Sequence, residues 1–395
     1  MTNKIRITLK SGKEQSIKRR HPWIFSGAIK KIEGDPVEGS LAEVISNNGE
    51  FLAIGHYQVG SIAVRIFSFE NIIPDFNFWL SKIQSAYYLR KRLGLTNSET
   101  TNVYRLINGE GDEMPGVIID YYNGVTVTQF HSIGMYQIRN LLTDVLIHIY
   151  GEKLKAVYDK SSGTIPFKSG IENKDEYLYS SASPRMVKEN GIQFRINYEE
   201  GQKTGFFIDQ RENRNLLKEY SANRNVLNMF CYTGGFSVYA LRGGATQVHS
   251  VDSSETAMKI TNENIELNFP GSDKHKVFTE DAFQFLGKMN PVYDLIILDP
   301  PAFAKHQNVL DNALKGYKRL NQIAIEKICK GGIIFTFSCS QVVSKENFRK
   351  SVFAAAANTG RKVKILHQLS QPADHPISIY HPEGEYLKGL VLYIE

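Results

Sequence analysis

From about residue 191 to the end, the chain repeats one alternation: an apolar run short enough to be a strand, then a longer stretch with helical spacing. The strand-like runs are NVLNMF, QVHSVDSS, KVFTED, YDLIILD, GGIIFTFS, RKVKIL and KGLVLYI. Runs this apolar are buried on both faces, and helices between most of them supply the cover. The expectation is an α/β, Rossmann-like domain over 191–395, built on a parallel sheet with helices on both sides. Ahead of it, IQFRINYEEGQKTGFFID reads as a hairpin turning near Gly201.

Two other textures precede that domain. Residues 1–70 hold short alternating runs, KIRITL, LAEVIS, FLAIGHY and SIAVRIFS, separated by turn-forming SGKE, EGDPVEGS and SNNGE. They predict a small β-rich domain. Residues 71–190 mix a helix over DFNFWLSKIQSAYYLRKRLG, stopping at Gly94, with a strand pair turning at Asn123-Gly124 and a second helix over IGMYQIRNLLTDVLIHIYG. This part reads as a central α+β domain.

Bulk composition narrows the setting. No apolar run approaches the roughly 18 residues of a membrane span, and the basic N-terminus lacks the apolar core of a signal peptide. Three cysteines, Cys231, Cys329 and Cys339, leave one over in any disulfide pairing and form no CxxC. That points to a reducing cytoplasm and away from a structural zinc or other metal site. Net charge is only +6, yet residues 1–31 carry nine basic side chains, among them Lys18, Arg19 and Arg20, against one acid, Glu14. Such clustering fits either a polyanion partner or a solvated surface.

Ligands of doubly wound sheets bind at the carboxyl ends of the strands. The first strand of the C-terminal domain runs into Phe230, Cys231, Tyr232, Thr233, Gly234, Gly235, Phe236 and Ser237. Two glycines there remove Cβ atoms where a small molecule must approach the backbone. The turn is neither GxGxxG nor a Walker loop, which argues against a dinucleotide or triphosphate. The second strand ends at Asp252-Ser253, an acid able to accept both ribose hydroxyls of a nucleoside, and the third leads to Asp281, suited to an adenine amine. Either acid alone could be a helix N-cap. A glycine turn followed by two acids on successive strand ends resembles the S-adenosylmethionine site of class I methyltransferases.

The fourth strand ends at Asp299, followed by Pro300 and Pro301. Proline pushes the residue before it into extended geometry, so Asp299 is held stiffly at the crevice. A rigid acid there can bind the polar edge of a flat base, and Phe303 can stack on that base. The fifth strand delivers Cys339, between Ser338 and Ser340, to the same crevice. Carbon 5 of a pyrimidine is a poor nucleophile, and a thiolate added at carbon 6 activates it. Cys339 is thus read as a nucleophile, whereas Cys231 and Cys329 read as small buried apolar residues.

RRHPWIFSGAI, YRLINGEGDEMPGVIIDYY, GQKTGFFIDQRENR, FCYTGGFSVYA, DPPAFAKH, FSCSQ, DHP and EGEYLKGL together span nearly the whole chain. Over these stretches it resembles the bacterial class I ribosomal RNA methyltransferases with an N-terminal PUA domain that form 5-methylcytosine in large-subunit rRNA. The resemblance implies a PUA-like RNA-binding domain at 1–70 and S-adenosyl-L-methionine as cofactor. It implies Cys339 as nucleophile and Asp299 as base-binding residue. It also brings Asp209, Gln210, Arg211 and Arg214 near the cofactor, although the residues alone would equally let the arginines pair with acids of their own domain.

The base that would remove the carbon-5 proton is open among His375, His381, Glu383, Glu385 and water. Two other readings stay in play. One is methylation of a guanine or adenine nitrogen with Cys339 a bystander, and the other is a non-catalytic RNA-binding protein of ribosome assembly. The modified nucleotide is not legible, and oligomeric state is open, a homodimer included.

Overall fold

The computed structural model describes residues 4–166, 174–181, 184–290, 292–304 and 306–395. They fall into two compact units. Unit 1 comprises Met1–Lys188, Ile196–Ile208 and Ala373–Gly384, and unit 2 comprises Glu189–Arg195, Asp209–Pro372 and Glu385–Glu395.

Unit 1 opens with six strands, β1 (Lys4–Leu9), β2 (Trp23–Phe25), β3 (Ile29–Glu33), β4 (Leu41–Ile45), β5 (Phe51–Tyr57) and β6 (Ile62–Ser68), with one helical turn, α1 (Gln15–Lys18), after β1. They form one sheet in the order β2-β6-β5-β4-β1-β3. Strand period sends Ile5, Ile7 and Leu9 inward while Lys4 and Arg6 face water. Helix α2 (Phe76–Arg92) follows. It starts on Asp75, whose carboxylate accepts the Phe78 N–H at 2.9 Å, and gives way to Gly94 at φ 73°.

The second sheet has the order β11-β10-β9-β8-β7. Its strands are β7 (Val103–Asn108), β8 (Val117–Tyr122), β9 (Val125–Phe130), β10 (Ala156–Asp159) and β11 (Glu176–Tyr179), with α3 (Ile133–Gln137) and α4 (Arg139–Tyr150) between β9 and β10. The β8–β9 hairpin turns at Asn123-Gly124, both at positive φ, as that dipeptide favours. Segments 1–70 and 71–190 do not separate as compact bodies. Ile54 and Phe67 of the first sheet pack into the same apolar cluster as Trp79, Ile83 and Leu106.

The buried guanidinium of Arg90 explains why a C-terminal segment joins unit 1. It ion-pairs with Asp112 and donates to the carbonyls of Arg105 and Asp374, each at 2.7 Å. Asp374 in turn accepts the Arg105 N–H at 3.0 Å, and Asn108 donates to the Pro376 carbonyl at 2.9 Å. A Cβ on Gly111 would lie 1.9 Å from that same carbonyl oxygen, so only glycine fits there.

Next come β12 (Met186–Glu189) and β13 (Ile192–Arg195) as a two-stranded hairpin. This corrects the expected turn at Gly201. The chain reverses at Asn190-Gly191, at φ 51° and 78°, the backbone that a tight two-residue turn requires.

Unit 2 holds α5 (Arg211–Glu219), β14 (Asn225–Met229), α6 (Gly235–Arg242), β15 (Gln247–Asp252), α7 (Glu255–Asn268), β16 (His275–Thr279), α8 (Ala282–Lys288) and β17 (Leu295–Leu298). After these come α9 (Leu310–Lys327), β18 (Gly332–Ser338), α10 (Lys345–Thr359), β19 (Val363–Leu369) and β20 (Lys388–Ile394). The sheet order is β16-β15-β14-β17-β18-β20-β19. Six strands run in one direction as expected, but β20 is antiparallel to both of its neighbours, β18 and β19. Between β19 and β20 lies only a short 3-10 turn, Pro382–Gly384, too short to carry the chain back for a parallel return.

Among the described residues, no helix is long and apolar enough to cross a membrane. Replacing Arg90 with Met should strand the Asp112 carboxylate and two buried carbonyls. We expect a loss of about 3–5 kcal/mol, the scale for removing one partner of a buried ion pair, read as a lowered midpoint in urea unfolding.

Candidate active site

The parallel ladders of unit 2 align their carboxyl ends. Met229 is level with Val251 and Leu298, and Leu298 with Thr336. The turn after β14, Asp252, Asp299 and Cys339 therefore leave the sheet at one edge.

That turn is conformationally demanding. Phe230, Tyr232 and Gly234 sit at φ 58°, 48° and 79°. Left-handed backbone at two aromatic residues is costly and persists only where the surroundings enforce it. Here α7 does so: Thr261 donates to the Tyr232 carbonyl and Asn264 to the Thr233 carbonyl, both at 2.9 Å. The Tyr232 N–H is taken by Asp252 Oδ2 at 3.0 Å. The reason for the glycines also changes. A Cβ on Gly234 would lie 2.7 Å from Thr261, which would have to shift, and one on Gly235 would lie 3.1 Å from the Arg214 side chain, a tight fit, so neighbours in the fold also favour glycine there.

Three expected cofactor side chains turn inward. Phe236 is buried against the Phe337 ring. Ser237 is fully buried, accepting from Asn228 at 2.8 Å and meeting Ser250 at 2.6 Å. Arg214 pairs with Glu189, its Nε and Nη2 at 2.9 and 2.7 Å from the carboxylate, and burial of both favours an acid of its own domain over a ligand. Thr233 is also buried; Phe230 and Tyr232 are half-buried and Ser253 exposed.

Asp252 is not a helix cap. Ser254 caps α7 by accepting the Ala257 N–H at 3.2 Å, while Asp252 accepts from Tyr232 and, through Oδ1, from Ser254 at 3.1 Å. Each of its oxygens keeps a further lone pair for a hydroxyl. Asp281 does cap α8, accepting the Gln284 N–H at 3.0 Å, with its side chain at the surface. Two carboxylates on neighbouring strand tips suit the hydroxyls and amine of a nucleoside, so the donor set fits the expected cofactor.

The FIDQRENR segment reaches Asp299 through one residue, Gln210. Gln210 Nε2 donates to Asp299 Oδ2 at 3.0 Å, and Asn213 Nδ2 donates to Gln210 Oε1 at 2.6 Å, fixing which end of the amide faces the acid. Asp209 accepts the Tyr386 hydroxyl at 2.7 Å. Arg211 is buried with its Nε on Glu212 at 3.2 Å.

Cys339 follows β18 directly, its Sγ 4.0 Å from the Pro300 carbonyl oxygen. It is half-buried beside the proline loop. Ser338 donates to the Tyr317 hydroxyl at 2.9 Å, and Ser340 donates to the Ala304 carbonyl. The Tyr317 ring packs on Phe303 with centroids 4.6 Å apart, so one face of Phe303 is already covered. Pro301 is exposed.

Sequence reasoning missed Lys388. This buried lysine donates to the carbonyls of Ser340 and Val343 at 2.6 and 2.7 Å, clamping the loop after Cys339. Burial pulls it down to about 8, opposed by attraction to Cys339 and Glu385. A lysine opening an otherwise apolar strand was the available signal. Asn213, Thr261, Asn264 and Tyr386 were missed as well, and nothing in their spacing marks them.

In unit 1, the basic cluster is partly neutralised by its own sheet. Lys18 pairs with Glu50 at 2.7 Å, Lys4 and Arg6 with Glu43, and Lys31 with Glu33. Arg19 and Arg20 have no carboxylate within ion-pair distance among the described residues, and Arg20 lies over the Phe69 ring at 5.4 Å. His375 is buried with Nδ1 3.1 Å from Asp374, and Glu383 lies near His21 and His381. These belong to unit 1, whereas Glu385 belongs to unit 2 and pairs with Lys345.

Comparison with known proteins accords with this geometry. Residues 177–378 match the family described as S-adenosylmethionine-dependent methyltransferase, and residues 7–69 match a PUA-like domain. Proteins named ribosomal RNA large subunit methyltransferase I from Aeromonas salmonicida and Serratia proteamaculans are each 38% identical over 98% of both chains. A Streptococcus mutans structure described as a candidate SAM-dependent methyltransferase shares the fold, with TM-score 0.83 and 24% identity over 98% of this chain and 99% of that one. A second candidate methyltransferase, solved with SAH, gives TM-score 0.84 and 24% identity over 99% and 100%. The chain belongs to the S-adenosylmethionine-dependent methyltransferase family, with a PUA-like domain at its N-terminal end and S-adenosylmethionine as its cofactor.

Proposed function

We propose that this enzyme methylates carbon 5 of a cytosine in large-subunit ribosomal RNA through a transient adduct with Cys339. The RNA class is supported by the name its 38%-identical relatives bear. The chemistry is supported by one observation, the Cys339 sulfur 4.0 Å from the Pro300 carbonyl, at the sheet edge that also carries Asp299.

When bound, S-adenosylmethionine supplies an electrophilic methyl group. Asp252 and Asp281 hold its nucleoside through hydroxyl and amine hydrogen bonds. Asp299, steadied by Gln210, accepts from the exocyclic amine of the cytosine, and Phe303 stacks on the ring. The Cys339 thiolate adds to carbon 6, and the resulting enamine makes carbon 5 nucleophilic. Once carbon 5 has gained the methyl, its proton leaves to a base and the Cys339 sulfur is expelled, restoring the aromatic ring. Lys388 holds the loop behind Cys339 and sets a positive charge beside the thiolate.

Cys339→Ala should abolish transfer, by on the order of 10³-fold or more, while calorimetry still detects cofactor binding. RNA containing 5-fluorocytosine should form a denaturation-resistant adduct with the wild type alone. Full turnover by the alanine variant would remove the covalent step, and nucleoside mass spectrometry would then look for a methylated purine nitrogen.

Lys388→Met should cost about 10- to 100-fold in kcat, the scale of a slightly misplaced reacting group, with cofactor affinity unchanged. Since burial brings Lys388 to about 8, its ammonium is intact below that pH and lost above it. The wild-type kcat should therefore bend downward near pH 8, and the Met variant should lack the bend.

A further inference from the structure

Unit 1 contains a cavity of about 130 Å³ that the chemistry above does not use. It lies between the Leu95–Asn102 loop and a set of tyrosines, Tyr87 from α2, Tyr104 from β7, Tyr121 from β8 and Tyr150 from α4. Tyr121 is stacked with Tyr104 (centroids 5.0 Å, planes 24° apart) and with Tyr150 (4.9 Å, 9°). The hydroxyls of Tyr104 and Tyr150 are only 3.0 Å apart. Rings on opposite faces of Tyr121 would be separated by roughly 7 Å, twice the contact distance between carbon planes, so both cover the same face. Among the described residues, no ring stacks on the other face, and Tyr121 lines the cavity while only half-buried.

The rest of the lining is polar. Thr96 Oγ1 is buried and has no hydrogen-bond partner. A hydroxyl in that state costs free energy unless something enters to meet it. At the exposed rim, Lys153 Nζ sits on Asn97 Oδ1 at 2.7 Å. The volume suits one six-membered ring, since a cavity of about 150 Å³ accommodates benzene. A flat ring for stacking, a polar edge for Thr96 and an anion near Lys153 together describe one molecule class.

We propose that this tyrosine-walled cavity takes the base of a single unpaired pyrimidine nucleotide, with Lys153 beside its phosphate. The nucleotide comes from an RNA strand; that source rests on the proposed function, whereas the pocket does not.

The test uses the full chain, a uridine hexamer carrying 4-thiouridine, and peptide mapping after ultraviolet crosslinking. Crosslinks should fall in peptides containing Tyr87, Thr96 or Tyr121. Their yield at subsaturating RNA should drop about five- to a hundredfold in Tyr121→Leu, the range for one base stacked on one ring. Thr96→Val, which removes a hydroxyl with little change of shape, should also reduce it, and keeps the test open should Tyr121→Leu misfold. Competition by free uridine monophosphate would support the pocket with a free nucleotide as the source, and absence of competition would support a strand. If no crosslink maps to these peptides, or both variants crosslink like the wild type, the proposal is overturned. The readout is binding, so it is separate from the fate of the Cys339 variants.

Discussion

The registration of four parallel strand ends is the constraint on which the site depends. β14, β15, β17 and β18 pair without a slip, so the residues that follow each of them emerge along one edge. Each strand then needs a device to stop it there. β14 stops in a left-handed turn that α7 clamps through Thr261 and Asn264. β17 stops just before an acid that two prolines follow, and a residue before proline disfavours helical geometry. β18 stops at Cys339, whose following loop is fixed by Lys388. A one-residue slip in any ladder would move one of these groups by over 3 Å and dissolve the arrangement.

Several polar groups behind that edge are buried, which raises the stakes of each hydrogen bond. A buried polar atom left without a partner costs more than its bond would have contributed. The chain from Asn213 through Gln210 to Asp299 is therefore a strong orienting device, because each member has a definite partner. Arg214 with Glu189 serves the same end at the turn, where its side chain lies against Gly235. The FIDQRENR segment thus shapes the site more by holding other residues than by presenting its own.

How much of this was legible follows from what each residue does. Apolar runs of period two or near-continuous burial marked β14 to β20, and Asn123-Gly124 marked a hairpin, because those signals are local. Asn190-Gly191 carried the same signal, and the longer polar stretch at Gly201 drew the expected turn away from it. β2, only three residues long, and β3 escaped notice. The placement of Asp252, Asp299 and Cys339 at strand tips was readable because a residue that ends or follows an apolar run leaves the sheet where that run stops. The inward side chains of Phe236, Ser237 and Arg214 were not readable, for the opposite reason. Once past a turn, a side chain follows helix geometry and whatever partner the fold supplies, here Phe337, Ser250 and Glu189. The shared core between segments 1–70 and 71–190 was hidden likewise, since Ile54 and Phe67 look like ordinary strand residues until their contacts are seen.

The reversed direction of β20 has a chemical consequence that alternation alone hides. Its register pairs Ser338 with Lys388 at one end and Gly332 with Ile394 at the other. In this orientation the strand's first residue, a lysine, arrives at the carboxyl end of β18, next to Cys339. A parallel β20 would have delivered Ile394 there and left the ammonium at the amino-terminal edge of the sheet. The antiparallel insertion between β18 and β19 is thus what gives the thiol a cationic neighbour. That ammonium, buried and holding the Ser340 and Val343 carbonyls, cannot swing away as a surface lysine could, so it stays at the loop that follows Cys339.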